Sequence, residues 1–178
     1  MIRTLTSSEL SEREHLELRE LFEDAYEHDP GTTTDEDWAQ GFGGMHFILD
    51  HESGILAHGA VVRRELRTGE HRLDTGYVEN VAVWSAHQRQ GYGRAVMEAV
   101  NRYIDETFQL GGLATGSRGF YESLGWILWG GPTYVRTGQG LERTAHEDGH
   151  VLVRLTPTSP DLDTSAPISC EWRPSEIW

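Results

Sequence analysis

Leu18, Leu21, Phe22, Ala25 and Tyr26 recur at the three-and-four spacing of a helix with one buried face. Ser11-Glu12-Arg13-Glu14 precedes them as a capping box, so a first helix is predicted from Ser11 to Tyr26. His28 to Thr33 is loop by composition, after which Thr34-Asp35-Glu36-Asp37 caps a short helix through Trp38 and Phe42, ended by Gly43-Gly44. Met45 to Asp50 and Gly54 to Arg64 then read as two strands joined by a turn at His51 to Gly54. A polar link rich in Arg and Glu leads to a further strand from Thr75 to Val83. Ala95, Val96, Ala99, Val100, Tyr103 and Ile104 form the buried stripe of a helix that begins near Arg94 and ends near Phe108. Beyond it, Leu113 to Thr115, Ile127 to Trp129 and Val151 to Leu155 read as strands, and Arg118 to Leu124 as a short helix closed by Gly125. The pattern predicts one α+β domain over residues 1–178, a central mixed sheet with helices on both faces.

Candidate chemistry begins where the third of these strands ends. Val81 to Gly93 reads V-A-V-W-S-A-H-Q-R-Q-G-Y-G: an apolar run, a polar turn, two glycines, then the long helix. A loop of free amides opening into a helix N-terminus suits a pyrophosphate, because its donors add to the positive end of the helix dipole. Gly91 and Gly93 let the backbone approach phosphate oxygens with no Cβ in the way. The same glycine pair also fits ordinary turn chemistry.

Composition narrows the partners. The length of 178 residues allows a full sheet and several helices. No apolar run approaches a membrane span, and the N-terminus lacks a signal-peptide hydrophobic region. The lone Cys170 excludes an internal disulfide framework and fits a reducing cytoplasm; as a residue it reads as small and buried. No metal-ligand cluster is predicted, because the nine histidines come without C-x-x-C company. A net charge of −14, from 29 acidic and 15 basic residues, argues against nucleic acid or an anionic membrane as partner. It would concentrate a polycation, although solubility alone also accounts for an acidic surface.

The spacing Gln88-x-x-Gly91-x-Gly93 resembles the acetyl-CoA signature of the GCN5-related N-acetyltransferase (GNAT) superfamily. The segment Ser117-Arg-Gly-Phe-Tyr121-Glu-Ser-Leu-Gly125-Trp126 is similar to the helix that follows in that superfamily, R-x-x-Y-x-x-x-G-[FW]. This resemblance implies the GNAT fold, with a mixed, mostly antiparallel sheet, and acetyl-CoA as cosubstrate. It implies that Gln88, Arg89, Gln90, Gly91, Tyr92, Gly93 and Arg94 hold the pyrophosphate, with Arg118 also on the cofactor side. Val81, Ala82 and Val83 would receive the pantetheine arm like an added strand, and the Val83 amide would polarise the thioester carbonyl. Tyr121 would protonate the departing thiolate, a task that suits a neutral phenol; without the resemblance it reads as core.

Other stretches resemble the aminoglycoside 2′-N-acetyltransferases more narrowly. They are Asp37-Trp38, Gly43 to His46, Gly76 to Glu79, Gln109 to Gly111, Trp129, Glu147 to Gly149, Asp163 to Ala166, Cys170 to Arg173 and Trp178. The likeness covers essentially the whole chain. It implies transfer of acetyl to the 2′-amine of a polycationic antibiotic, by direct attack and with no covalent acetyl-enzyme. Glu79 would relay the amine proton through water, and Asp37, Asn80, Ala114, Glu147, Glu176 and the Trp178 carboxylate would line the acceptor pocket. Read alone, Asp37 is a helix N-terminal charge and Glu147-Asp148 a solvated turn. A homodimer is common in the superfamily.

Departures from the pattern fall on the acceptor side. Asn80 stands where a small residue is usual, His146 and Glu176 stand where aspartates are common, residues 113–117 are shortened and the loop 28–34 is lengthened. An unusual aminoglycoside such as kasugamycin fits these departures. Another amine, such as a polyamine or cell-wall amino sugar, is the alternative acceptor. A protein that binds acetyl-CoA and senses a cation without turnover would need neither Glu79 nor Tyr121.

Overall fold

The computed structural model describes residues 1–26, 34–52, 54–174 and 177–178. Its elements run β1 (Ile2–Thr6), α1 (Glu12–Tyr26), α2 (Asp35–Gln40), β2 (Met45–His51), β3 (Gly54–Thr68), β4 (His71–Val83), α3 (Tyr92–Thr107), β5 (Leu110–Ala114), α4 (Arg118–Glu122), β6 (Ile127–Leu128), β7 (Thr133–Thr137), β8 (Gly140–Arg143), β9 (Val151–Leu155) and β10 (Ile168–Glu171). Short 3-10 turns lie at Ser7–Glu9, Ser85–His87 and Ala145–Glu147. The chain divides into two compact units. Unit one holds Met1–Val62 and Val78–Arg102; unit two holds Arg63–Tyr77 and Tyr103–Trp178. The architecture is α+β with a mixed sheet, as the hydrophobic pattern predicts, and the sheet is mostly antiparallel, as the resemblance implies. No helix among the described residues is long and apolar enough to cross a membrane. The loop expected at 28–33 lies outside the described residues.

In unit one, β2 pairs antiparallel with β1 from Ile2↔Leu49 to Thr6↔Met45, and with β3 from Met45↔Val61 to His51↔Gly54. The expected capping box starts α1. The Ser11 amide donates to Glu14 Oε2 at 2.8 Å, and the Glu14 amide donates to Ser11 Oγ at 3.3 Å. The Ser11 hydroxyl, which donates to Glu14 Oε2 at 2.7 Å, and the Ser11 amide, with Arg3 nearby, hold the Glu14 carboxyl down to about 2. Leu18, Leu21 and Phe22 of α1 pack into one cluster with Leu10, Ile48, Ile55 and Ala82. A Cβ built on Gly59 of β3 would stand 3.1 Å from Val96 of α3 and 3.5 Å from Val81 of β4. Val81 and Ala82 alternate across the strand, so α3 and α1 cover opposite faces.

In unit two the strand order is β6-β9-β5-β4-β3-β10-β7-β8. β5 runs parallel to β4 in a register of Thr75↔Leu110, Gly76↔Gly111 and Tyr77↔Gly112, and antiparallel to β9. A Cβ at Gly112 would come within 2.8 Å of the Tyr77 ring, so only glycine lets the fully buried aromatic seat there.

The polar link expected between Arg64 and Thr75 is instead the middle of a hairpin. Leu66, Thr68, Leu73 and Thr75 are buried, while Glu65 pairs with Arg67 and Arg72 on the other face. Charged side chains at alternate positions mask the period-two pattern, and the true turn is Gly69-Glu70, with Gly69 at φ +54°. β1, β7, β8 and β10 were not legible as strands. β10, for example, is four residues long and lies parallel to β7 and antiparallel to β3, both remote in sequence.

Candidate functional site

The loop at the end of β4 is braced from within unit one. Asp24 of α1 accepts the Ser85 amide at 2.6 Å and the Ser85 hydroxyl at 3.1 Å. The Tyr26 hydroxyl donates to the Val81 carbonyl at 2.8 Å, and the Gln88 side-chain amide donates to the Val83 carbonyl at 3.2 Å. Gln88 therefore ties the loop back to the strand it leaves, and Gln90 does the same to Ala86 at 3.4 Å. Arg89 and Gly91 both adopt the left-handed region, at φ +60° and +92°. The Ala95 amide donates to the Gly91 carbonyl at 3.0 Å, so the first helical bond of α3 closes on Gly91. Tyr92 and Gly93 open the first turn of α3, where helix amides point outward along the axis. The exposed loop, its paired left-handed residues and a 16-residue helix behind it fit a pyrophosphate. Ala82, from the same predicted set, packs its side chain into the α1 core.

Glu79 and Asn80 sit just before this strand end. Glu79 is half-buried. Asn80 is buried and takes φ +51°, a conformation that Asn tolerates better than most residues. Its side-chain amide donates to the Trp38 carbonyl of α2 at 3.0 Å, and its own carbonyl accepts from His58 Nδ1 at 2.8 Å. Asp37 lies on the first turn of α2, where its Oδ2 accepts from the Thr34 amide at 2.9 Å and hydroxyl at 2.8 Å. Asp37 is thus the N3 member of a capping box, and unit one brings its helix to Asn80.

Unit two carries the remaining predicted residues. Tyr121 is buried on α4, edge-on to Phe120 at 4.9 Å and to Trp126 at 6.4 Å. Its carbonyl accepts the amides of Leu124 and Trp126, and Gly125 between them takes φ +89°. Arg118 is exposed and pairs with Glu122 at 2.7 Å, one helical turn on. Ala114 ends β5, opposite Val151 of β9.

Glu147 and Trp178 meet at one residue, Thr144. The Trp178 indole is buried and donates to Thr144 Oγ1 at 3.0 Å, while the Glu147 amide donates to the Thr144 carbonyl at 2.9 Å. Glu147 is half-buried, with His146 3.4 Å from its carboxylate. Asp148 has a different task. It accepts from the Thr133 amide and hydroxyl and pairs with Arg143, which drives its carboxyl far below the usual range. Glu176 lies outside the described residues.

Sequence reading missed several residues that hold these parts. Arg64, almost fully buried, donates to the carbonyls of Ile177 at 2.8 Å and Glu171 at 3.0 Å, and stacks 4.6 Å over the Tyr77 ring. His46 and His58 form a buried pair at 2.9 Å. Neither pairing has a local signal, because the partners come from different strands. Burial pushes the Cys170 thiol up to about 11, which disfavours a thiolate nucleophile. Among the described residues no group of three or more His, Cys, Asp or Glu is placed to hold a metal. A cavity of about 540 Å³ opens in unit one beside Arg13, Glu17, His51, Trp84 and His87, and none of the predicted site residues lines it.

Residues 6–128 match the family model described as an acetyltransferase (GNAT) domain. An aminoglycoside 2′-N-acetyltransferase of Mycolicibacterium fortuitum is 37% identical over 180 residues, spanning 99% of this chain and 91% of that protein. Among solved structures, a GNAT family acetyltransferase from Brucella melitensis in complex with acetyl-CoA gives a TM-score of 0.62 at 13% identity, over 94% of each chain. ElaA from Escherichia coli gives 0.62 at 14% identity, over 86% of this chain and 98% of its own.

Proposed function

The chain belongs to the GNAT acetyltransferase family, and from that premise we propose that it moves acetyl from acetyl-CoA to the 2′-amine of an aminoglycoside. One observation carries this reading: the likeness to the M. fortuitum enzyme extends over 99% of the chain rather than stopping at the acetyltransferase domain. The acidic balance, net −14, supports a polycationic acceptor.

The chemistry follows from the groups present. The backbone donors from Gln88 to Arg94 hold the pyrophosphate, and β4 from Val81 to Val83 receives the pantetheine arm. The amine nitrogen attacks the thioester carbon, the C–S bond breaks, and acetyl passes directly to nitrogen. An ammonium cannot attack, so Glu79 takes the surplus amine proton through water, and Tyr121 donates a proton to the CoA thiolate. The high thiol pKa and full burial of Cys170 support direct transfer over an acyl-enzyme. Asp37, Glu147 and Trp178 contribute the acceptor walls, with Glu176 as the further acidic position. Arg118, paired with Glu122, is assigned to the cofactor side by the family resemblance. The enzyme acts in the cytoplasm, and a homodimer is carried over from the superfamily; light scattering tests the latter.

Thiol release from acetyl-CoA with tobramycin, kanamycin A and kasugamycin tests the acceptor. Tobramycin carries a 2′-amine and kanamycin A a hydroxyl there. Turnover of tobramycin but not kanamycin A is the expected result. Turnover of kasugamycin alone would redirect the acceptor reading, as the departures around Asn80 and residues 113–117 favour. Silence on all three, with acetyl-CoA bound, overturns the aminoglycoside assignment.

A further inference from the structure

A ring of hydrogen bonds in unit one begins and ends on the same segment. The Gly43 amide, just past α2, donates to Ser7 Oγ at 2.8 Å. Ser7 Oγ lies 2.8 Å from His46 Nε2, His46 Nδ1 lies 2.9 Å from His58 Nε2, and His58 Nδ1 lies 2.8 Å from the Asn80 carbonyl. The Asn80 side-chain amide then reaches the Trp38 carbonyl of α2 at 3.0 Å, which closes the ring.

Its polarity follows from one end. A carbonyl only accepts, so His58 Nδ1 donates to Asn80; full burial keeps the ring neutral, so its Nε2 accepts. His46 Nδ1 therefore donates to His58, His46 Nε2 accepts, and the Ser7 hydroxyl donates to it. Both imidazoles are neutral in this arrangement. The ring terminates on a carbonyl at each crossing to Asn80 and Trp38, which take no proton, so it cannot act as a proton relay. What it can do is fix position: the left-handed backbone of Asn80 is clamped through its carbonyl and α2 through its side chain.

We propose that Asn80 is a positioning residue for the acceptor, held by Ser7, His46 and His58, which fixes the α2 wall bearing Asp37 relative to Glu79 on β4. The role rests on the reading of Asp37 and Glu79 as acceptor-side groups. It reassigns Asn80 from contacting the sugar to fixing the wall beside it. Gly41 belongs to the same device, because a Cβ there would stand 2.2 Å from Asn80 Nδ2.

Asn80→Gly is the decisive variant. It accepts φ +51° without strain and keeps the carbonyl that His58 binds, while removing the side chain that bonds Trp38 and packs against Gly41. Gly41→Ala attacks the same bond from the other side. Hydrogen exchange is read on residues 35–43, and steady-state kinetics on whichever amine the wild type acetylates. The expected result is faster exchange of that segment in both variants, with acceptor KM raised about tenfold and acetyl-CoA KM unchanged. Unchanged exchange overturns the ring as a clamp. Faster exchange with unchanged acceptor KM, or equal rises in both KM values, overturns the positioning role. If the wild type acetylates no amine, the aminoglycoside reading fails by itself, and the acceptor role of Asn80 falls with it while the exchange result still decides the clamp.

Discussion

Acidification should destabilise this protein through two histidines before its carboxylates respond. Burial lowers His46 to about 4 and His58 to about 3, from an ordinary value of 6.5. The proximity of His15 adds to the effect on His46 and that of His46 to the effect on His58, whose bond to the Asn80 carbonyl opposes it. Between 6.5 and these lowered values the unfolded chain binds protons that the folded chain refuses. Stability is therefore present above pH 6.5 and lost as pH falls toward 4. Integrated from pH 7 to pH 5, each histidine contributes a loss of about 2 kcal/mol, and the pair about 4 kcal/mol. Carboxylates such as Glu14, held at about 2 against an ordinary 4.5, lose their contribution only below this window. Urea unfolding at pH 7, 6 and 5, followed by tryptophan fluorescence, measures the decline in wild type and in His46→Gln. The variant is expected to be less stable at pH 7, yet to lose about 2 kcal/mol less on going to pH 5. Parallel pH profiles in the two proteins would refute a neutral, buried His46.

Three further outcomes follow from the proposed roles. Tyr121→Phe should lower kcat on the order of a hundredfold with little change in acceptor KM, and wild-type turnover would remove Tyr121 from the proton transfer. Gly91→Ala forces a Cβ into φ +92°, costing about 1–2 kcal/mol. It should raise acetyl-CoA KM more than acceptor KM; the reverse order would displace the loop from the pyrophosphate. Thr144→Val removes the hydroxyl that receives the Trp178 indole, a bond worth about 1 kcal/mol. Steady-state kinetics should show acceptor KM rising a few-fold with acetyl-CoA KM unchanged, and an unchanged acceptor KM would detach Trp178 from the acceptor wall.

Local rules carried the sequence reading wherever one segment decides its own structure. The Ser11 and Thr34 capping boxes, the α3 stripe and the glycine turn each depend on residues a few positions apart, and each is present. Legibility ended where a neighbour comes from elsewhere. Residues 65–74 looked like a polar link because Glu65, Arg67 and Arg72 dominate the composition, although Leu66 and Leu73 keep the inward face. The two buried histidines looked scattered because they are twelve positions apart in sequence. Only the β2–β3 register, with His46 opposite Ala60 and Ile48 opposite His58, brings their rings together. Asn80 was visible as a departure from the family pattern, but its partner Trp38 was not.

The C-terminal likeness to the antibiotic enzymes gains a physical meaning from the same kind of connection. Asp163 Oδ1 accepts the Ser165 amide at 2.9 Å and hydroxyl at 2.6 Å, shaping a turn. The Ala166 carbonyl of that turn accepts the buried Trp129 indole at 2.8 Å, and the Thr164 carbonyl accepts the amides of Gly130 and Gly131. β10 follows at once and carries Glu171, whose side chain and carbonyl both bind Arg64. Arg64 in turn holds the Ile177 carbonyl, next to the Trp178 indole seated on Thr144. Motifs that look like separate binding determinants in the sequence therefore form one mechanical series ending at Trp178. Burying a guanidinium costs several kcal/mol unless its bonds are made, and here three of them go to the segment that this series delivers. The series thus ends on Thr144, where the Trp178 indole and the Glu147 amide are both anchored.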